Sequence, residues 1–184
     1  LFNFLLMMKK KIDILGSTGS IGKSLLSLIQ KDKKIEIVLL SANKNANYLI
    51  QQAKKFKVRN LVITNKDSYL KLVNNKSIKN KFNIFNDFNF FKKVFKKKID
   101  YSMSAITGID GLSPTLDIIK HTKNIAIANK ESIICGWDLL KKELKKYNTN
   151  FIPVDSEHFS IWFDLLNNNK TNNIKKIFIT ASGG

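Results

Sequence analysis

GSTGSIG, residues 16–22, is the stretch that decides the fold of this chain. A short apolar run at residues 12–15 precedes it. Apolar residues at helical spacing follow it on one face: Ile21, Leu25, Leu26 and Ile29. A strand, a glycine turn and a helix in this order leave free backbone N–H groups at the helix N-terminus, where a phosphate can bind.

The three glycines of this stretch have separate expected roles. Gly16 permits the tight turn, Gly19 lets a phosphate approach the backbone, and Gly22 lets the helix pack close to the strand. Their spacing, G-x-x-G-x-x-G, differs from the commoner G-x-G-x-x-G, so a plain glycine-rich turn is the alternative. The rest of the chain has to distinguish the two.

Composition is that of a globular protein. With 184 residues, 43% of them hydrophobic, the chain has room for one domain with a core, or for one domain and part of another. The single cysteine, Cys135, excludes a disulfide framework and predicts a reducing, cytoplasmic location. The opening LFNFLLMM is too short to span a bilayer and lacks the features of a secretory signal. We therefore expect no membrane partner and a natural start at Met7 or Met8.

The formal net charge of +18 suggests a nucleic-acid partner. However, the lysines are spread over the whole chain, and the runs at residues 92–93 and 96–98 contain no arginine and no nucleic-acid motif. We interpret the charge as a solvated surface and expect no specific nucleic-acid partner, with a polyanion-binding protein as the alternative.

Strand and helix patterns alternate along the chain. Short apolar, β-branched runs predict strands at residues 35–41, 60–64, 83–85, 99–106, 124–128 and 150–154. Helical spacing lies between them, at residues 45–56, 67–73, 87–95, 112–120 and 137–147, and again after residue 158. This alternation predicts an α/β fold with a doubly wound parallel sheet through about residue 150.

Several apolar side chains are expected in the core of this fold. They are Phe90, Phe91, Val94 and Phe95 of the 87–95 helix, and Leu139, Leu140 and Leu144 of the 137–147 helix. Cys135 lies in an apolar run without a nearby histidine, so we expect a buried structural thiol rather than a nucleophile.

The end of the second predicted strand bears on the choice of cofactor. NAD sites usually have an Asp or Glu about 20 residues after the glycines, which accepts a hydrogen bond from the ribose 2′-hydroxyl. Here the chain reads Ser41-Ala42-Asn43-Lys44-Asn45, without an acid. Lys44 and its neutral neighbours suit a 2′-phosphate, which predicts NADP rather than NAD. An incidental lysine in a polar loop is the alternative.

Two polar clusters follow later strands. Asn129, Lys130 and Glu131 have the groups needed to orient a cofactor amide, hold a charged substrate and accept a proton, although helix capping explains them equally. Asp155 and Glu157, at a strand end, suit a hard divalent ion such as Mg²⁺ or Mn²⁺. Asp155 could instead cap the next helix, with Glu157 at its positive end.

Five segments occur in an order and spacing that closely resemble the 1-deoxy-D-xylulose 5-phosphate reductoisomerase family. They are GSTGSIG at 16–22, AITGIDGL at 105–112, IANKESIICGW at 127–137, PVDSEHFSI at 153–161 and ITASGG at 179–184. The resemblance covers the chain from Lys10 onward. It implies a Rossmann-like NADPH-binding domain at residues 8–150, followed by the truncated beginning of an α+β catalytic domain at residues 151–184.

The resemblance also implies roles for individual residues. Contacts with the cofactor are implied for Thr18, Gly19, Ser20 and Ile21 at the pyrophosphate, Lys44 and Asn45 at the adenosine end, and Asn129 and Glu131 at the nicotinamide side. Asp155 and Glu157 are the implied metal ligands, and Lys130 and Glu157 the catalytic residues. Substrate contacts are implied for Lys130, Ser156, Glu157 and Ser182, with Ser182 at the substrate phosphate.

The activity that the resemblance implies depends on NADPH and a divalent metal. It converts 1-deoxy-D-xylulose 5-phosphate to 2-C-methyl-D-erythritol 4-phosphate in non-mevalonate isoprenoid precursor synthesis. The implied metal is Mg²⁺ or Mn²⁺, with Co²⁺ as a further option, and the complete enzyme is implied to be a homodimer. Because further family residues would follow Gly184, we expect this chain alone to be inactive. The alternative is a catalytically incompetent, NADPH-binding remnant.

Overall fold

Seven strands alternate with helices over the part of the chain that the structure, a computed structural model, describes: residues 9–154, 156–167, 176 and 178. The strands are β1 (Lys10–Leu15), β2 (Ile35–Ala42), β3 (Asn60–Ile63), β4 (Asn83–Phe85), β5 (Tyr101–Ser104), β6 (Asn124–Ile127) and β7 (Asn150–Pro153). The helices are α1 (Ser20–Ile29), α2 (Ala46–Phe56), α3 (Lys66–Asn74), α4 (Lys76–Lys79), α5 (Phe91–Val94), α6 (Leu112–Ile119), α7 (Lys130–Tyr147) and α8 (Ser156–Asn167), with a 3₁₀ turn at Ile109–Gly111. None of the described helices is long and apolar enough to cross a membrane.

All seven strands pair in parallel, in the order β4-β3-β2-β1-β5-β6-β7. The strands run outward from β1 to β4 on one side and from β5 to β7 on the other, so the direction of winding reverses between β1 and β5. The predicted doubly wound parallel sheet is therefore confirmed. Sheets of this kind bind ligands in the crevice at the carboxyl ends of the strands, where the winding reverses.

Each face of the sheet has its own apolar core. On one face the helices α1, α2 and α3 contribute Leu26, Leu49, Ile50, Ala53 and Leu72. On the other face α5, α6 and α7 and their flanking residues contribute Phe90, Phe91, Phe95, Ile118, Ile119, Leu140 and Leu144. Burial on both faces explains why the strands read as continuous apolar runs rather than alternating ones. The predicted burial of the three phenylalanines is confirmed.

Two side chains expected to be buried, Cys135 and Leu139 in α7, are exposed. These two predictions were wrong because an apolar run does not fix the helical phase of Cys135, and a helix that begins at residue 137 is too short a segment to fix that of Leu139. α7 begins at Lys130 rather than at residue 137, and Gly136 has non-helical backbone angles within it. Leu140 and Leu144 are one turn apart and share the buried stripe, whereas Leu139 is rotated by about 100° from Leu140.

The sheet extends past residue 150, where the sequence predicts the first domain to end. β7 is in register with β6, from Asn150 opposite Asn124 to Pro153 opposite Ile127. Residues 150–153 are thus part of the same sheet as the glycine turn. The division into domains at 8–150 and 151–184 stays a prediction.

The central strand β1 contains a buried carboxylate. Asp13 is fully buried and lies in register with Ser102 of β5. Among the described residues, neither carboxylate oxygen of Asp13 nor the Ser102 hydroxyl has a hydrogen-bond partner of normal geometry. Burial raises the pKa of Asp13 to about 8, outweighing the opposing influence of the Ser102 hydroxyl. The carboxyl group is therefore mostly protonated at neutral pH.

Candidate functional site

The turn between β1 and α1 requires glycine at two of its positions. Gly16 has a φ of +83°, and a Cβ there would lie 2.5 Å from the carbonyl oxygen of Ala105, just after β5. A Cβ at Gly22 would lie 2.6 Å from the Gly16 carbonyl oxygen, so α1 packs directly on the turn. At Gly19 a Cβ would meet only that same oxygen, at 3.4 Å. The turn therefore packs tightly against the end of β5 at Gly16, whereas at Gly19 there is room for a ligand to approach the backbone.

The N-terminus of α1 is not capped by a side chain. Its N-cap residue is Gly19, no described side chain accepts a hydrogen bond at this position, and the first turn contains no acidic residue. The first N–H groups of a helix have no partner within the helix, and they carry the positive end of the helix dipole. This end of α1 can therefore bind an anion such as a phosphate.

A cavity of about 530 Å³ opens at the carboxyl ends of β1, β2, β3 and β5. It is lined by Gly16, Thr18, Gly19, Ser41, Ala42, Asn43, Thr64, Phe88, Ala105, Ile106, Thr107 and Asp110. The cavity spans the reversal of winding between β1 and β5, the usual place for a ligand in such a sheet. Its size and its mixed lining, polar with one aromatic ring, suit a nucleotide.

The loop after β2 forms the rim of this cavity. Asn43 lines the cavity, and its side-chain amide donates to the Thr64 hydroxyl at 3.0 Å. Asn45 caps α2, because its side-chain oxygen accepts from the Tyr48 N–H at 3.2 Å. Lys44 is exposed and forms no ion pair with any residue that the structure describes. Its ammonium group is available to an anion at the rim.

Asn129 is engaged at both ends of its side chain. Its Oδ1 accepts from the Ser132 N–H at 3.0 Å, and its Nδ2 donates to the carbonyl oxygens of Ile106 and Gly108, each at 2.5 Å. The capping interpretation of Asn129 is therefore confirmed. The same contacts fix the loop after β5, which lines the cavity. Direct contact between Asn129 and a cofactor stays a prediction.

Four other predicted site residues lie after β6 and β7. Lys130 and Glu131 begin α7, and both side chains are exposed. Ser156 and Glu157 begin α8 and are also exposed, with the Ser156 hydroxyl donating to the Glu157 carboxylate at 3.1 Å. Because β6 and β7 are neighbouring parallel strands, these residues lie at the same edge of the sheet as the cavity.

The predicted metal site is described only in part, because Asp155 lies outside the described residues, as does Ser182. Within the described part of the chain, no group of three or more His, Cys, Asp or Glu side chains is placed to hold an ion. The accessible carboxylate of Glu157 suits a hard cation that is shared with a second carboxylate.

The structure places some predicted residues at the cavity and adds others. Thr18 and Gly19 line it, whereas Ser20 and Ile21 do not, and the exposed side chain of Ile21 is turned away from the core. Phe88 lines the cavity, but in the sequence it stands next to the core phenylalanines and no spacing distinguishes it from them. Thr107 and Asp110 follow a strand end whose glycines favour a ligand loop, which is the signal that could have indicated them.

The sequence comparisons point to one family. A family model described as 1-deoxy-D-xylulose 5-phosphate reductoisomerase matches residues 12–136, and one for the C-terminal domain of that family matches residues 151–184. The reductoisomerase of Pelagibacter ubique (strain HTCC1062) is 62% identical over 179 residues, which cover 95% of this chain and 45% of that protein. The reductoisomerase of Clostridium acetobutylicum is 38% identical, covering 95% and 46%. The chain thus spans about half the length of the curated relatives it matches.

The fold of this chain is similar to that of solved reductoisomerase structures. The enzyme from Zymomonas mobilis in complex with NADPH has a TM-score of 0.73 at 31% identity, covering 82% of this chain and 40% of that one. A reductoisomerase in complex with NADPH, fosmidomycin and magnesium has a TM-score of 0.72 at 31% identity, covering 81% and 37%. The likeness covers about four fifths of this chain in both cases.

Proposed function

The chain belongs to the 1-deoxy-D-xylulose 5-phosphate reductoisomerase family, and from this premise we propose that it forms the NADPH-binding part of such an enzyme. The whole protein would convert 1-deoxy-D-xylulose 5-phosphate to 2-C-methyl-D-erythritol 4-phosphate, a step of non-mevalonate isoprenoid precursor synthesis. The observation that carries the proposal is the cavity at the ends of β1, β2, β3 and β5, which adjoins the uncapped N-terminus of α1.

In this proposal the glycine turn holds the cofactor pyrophosphate. The residues are Thr18, Gly19, Ser20 and Ile21, at the helix end whose N–H groups and dipole favour an anion. Lys44 and Asn45 hold the adenosine end, and Asn129 and Glu131 lie at the nicotinamide side. Gly19 supports this arrangement, because it leaves the approach to the backbone open. The bound NADPH supplies the hydride for the reduction step.

The substrate and the metal are proposed to bind beyond β6 and β7. Asp155 and Glu157 would hold Mg²⁺ or Mn²⁺, with Co²⁺ as a further option, and the cation would polarise substrate oxygens. The exposed ammonium group of Lys130 would bind substrate oxygens, with Ser156 beside them and Ser182 at the substrate phosphate. Lys130 and Glu157 are the catalytic residues of the proposal. Their exposure supports it, because both side chains are accessible to a ligand.

The state of the whole protein is also part of the proposal. We expect a homodimer in the cytoplasm, and the single free thiol, Cys135, supports a reducing compartment. Residues 1–184 alone are expected to bind NADPH without turnover. A second candidate function is a catalytically incompetent, NADPH-binding remnant of the enzyme. Turnover of 1-deoxy-D-xylulose 5-phosphate by the whole protein would exclude the remnant.

Titrating the chain with NADPH, followed by cofactor fluorescence, tests the proposed function directly. We expect saturable binding and an affinity for NADH that is at least about tenfold lower, since NADH lacks the 2′-phosphate that Lys44 would meet. Removing divalent cations with EDTA should leave the NADPH affinity unchanged, because Glu157 does not line the cavity. A folded chain that does not bind NADPH would contradict the proposal. Displacement of NADPH by DNA at physiological salt would favour the polyanion-binding alternative.

Lys44→Gln should weaken NADPH binding while sparing NADH binding. The change removes one exposed cation at the rim of the cavity, so we expect the NADPH affinity to fall about tenfold, roughly 1.4 kcal/mol. The measurement is the ratio of the two dissociation constants. Lys54→Gln, an exposed lysine in the last turn of α2, is the matched control and should leave the ratio unchanged. Equal losses for both cofactors in Lys44→Gln would contradict a 2′-phosphate contact.

A further inference from the structure

Gln52 is a polar residue within the buried face of α2. Its neighbours Leu49, Ile50 and Ala53 pack into the core, and Gln52 itself is 5% exposed. Its amide makes two hydrogen bonds, both with Ser17 of the glycine turn. Oε1 accepts from the Ser17 hydroxyl, and Nε2 donates to the Ser17 carbonyl oxygen, each at 2.8 Å. Gln52 does not line the cavity, so this contact lies on the side of the turn that faces away from the cavity.

Ser17 is the residue through which the turn is anchored to the rest of the sheet. It is fully buried, and its N–H donates to the Ser41 carbonyl oxygen at 2.8 Å. The N–H of the preceding Gly16 donates to the Ser41 hydroxyl, also at 2.8 Å. The turn is thus tied to the end of β2 by Ser41 and to α2 by Gln52. Only the second tie reaches the Ser17 carbonyl oxygen.

The contact with the Ser17 carbonyl oxygen sets the direction of a neighbouring N–H group. The carbonyl of Ser17 and the N–H of Thr18 belong to one planar trans peptide, in which they point in opposite directions. When Gln52 holds the carbonyl toward α2, the Thr18 N–H is held away from α2. Thr18 is a residue that lines the cavity. Gln52 therefore orients the backbone at the cavity without touching it.

We infer that Gln52 is a positioning residue for cofactor binding, and this inference rests on the proposed binding of NADPH. By holding the Ser17 carbonyl oxygen, Gln52 keeps the turn in the conformation that receives the pyrophosphate. Because the turn is ordered in advance, binding does not have to order it. An apolar residue here would fill the space but would leave the buried carbonyl oxygen without its partner.

The test compares Gln52→Met with Gln52→Glu and with Gln51→Met. Methionine keeps the length of the side chain without its hydrogen bonds. Glutamate keeps an acceptor for the Ser17 hydroxyl but has no donor for the Ser17 carbonyl oxygen when ionised. Gln51, the exposed neighbour in α2, is the matched control. Each protein is titrated with NADPH and with adenosine 2′-monophosphate, which carries the 2′-phosphate but no pyrophosphate.

We expect Gln52→Met to weaken NADPH binding at least about tenfold, and adenosine 2′-monophosphate binding less than about twofold. Gln52→Glu should show the same selective loss at about pH 9, where a carboxyl group whose pKa is raised by burial is also ionised, and it carries the test if the methionine variant does not fold. Gln51→Met should bind both ligands as the unchanged chain does. Equal losses for both ligands would show a merely structural role and overturn the inference, as would unchanged NADPH binding. Failure of the unchanged chain to bind NADPH would instead overturn the proposed function.

Discussion

Gly16→Ala is expected to abolish NADPH binding and to lower the free energy of unfolding by about 2–5 kcal/mol. The left-handed backbone at Gly16, with a φ of +83°, costs an alanine about 1–2 kcal/mol. The new Cβ would also lie 2.5 Å from the Ala105 carbonyl oxygen, and overpacking of this kind costs about 1–3 kcal/mol more. Relieving the overlap separates the ends of β1 and β5, where the cavity opens. Urea unfolding and NADPH titration measure the two effects.

Two other glycines separate the causes of this loss. Gly108 has a φ of +76° and a ψ of −174°, a conformation nearly restricted to glycine, but nothing lies within 4 Å of a Cβ there, so Gly108→Ala should show only a backbone cost of about 1–3 kcal/mol. Gly19 has an extended backbone and an open surround, so Gly19→Ala should fold normally and yet bind NADPH weakly. If Gly16→Ala cost no more than the about 1–2 kcal/mol of its backbone conformation, the close approach to Ala105 would not be a real constraint.

The fold could be predicted because its signals are local. The apolar run before GSTGSIG and the helical spacing after it need only neighbouring residues, and parallel pairing then follows from the alternation of strands and helices. The second strand is predicted at residues 35–41 and is observed at Ile35–Ala42. The absence of an acid after this strand is likewise a local signal, and the loop from which the preference for NADP is predicted forms the rim of the cavity.

The features that the sequence does not show depend on contacts between distant segments. Gln52 meets Ser17 across 35 positions, and within α2 its spacing indicates only packing. Phe88 belongs to an aromatic stretch, and only the folded chain separates this cavity residue from the buried Phe90 and Phe91. Asp13 stands in an apolar run of β1, and its burial follows from the place of β1 in the middle of a sheet that is covered on both faces.

Asp13→Asn is expected to stabilise the fold at neutral pH, by an amount that grows with pH. The pKa of Asp13 is about 8 in the folded chain, against about 3.9 for an unfolded aspartate. Between these values the folded state binds more protons than the unfolded state, so stability falls as the pH rises from about 4 to about 8 and then levels off. Asparagine has no proton to take up on folding. At pH 7 we expect a gain on the order of 2–4 kcal/mol, measured by urea unfolding at several pH values.

Asp100→Asn is the control with the opposite sign. The Asp100 carboxylate accepts from the Lys123 ammonium group at 2.7 Å and from the Lys11 N–H at 2.8 Å, which holds its pKa below the usual range. Its contribution to stability is present at neutral pH and is lost as the pH falls through the folded pKa, so Asp100→Asn should destabilise the chain. Asp100→Asn removes a negative charge from a folded chain of net charge +18, so an effect of overall charge would also destabilise it, whereas Asp13→Asn replaces a group that is mostly protonated at neutral pH. An effect of overall charge on the folded chain therefore cannot explain a gain in Asp13→Asn. A loss of stability in Asp13→Asn that does not vary with pH would contradict a protonated, unpartnered carboxyl group at this position.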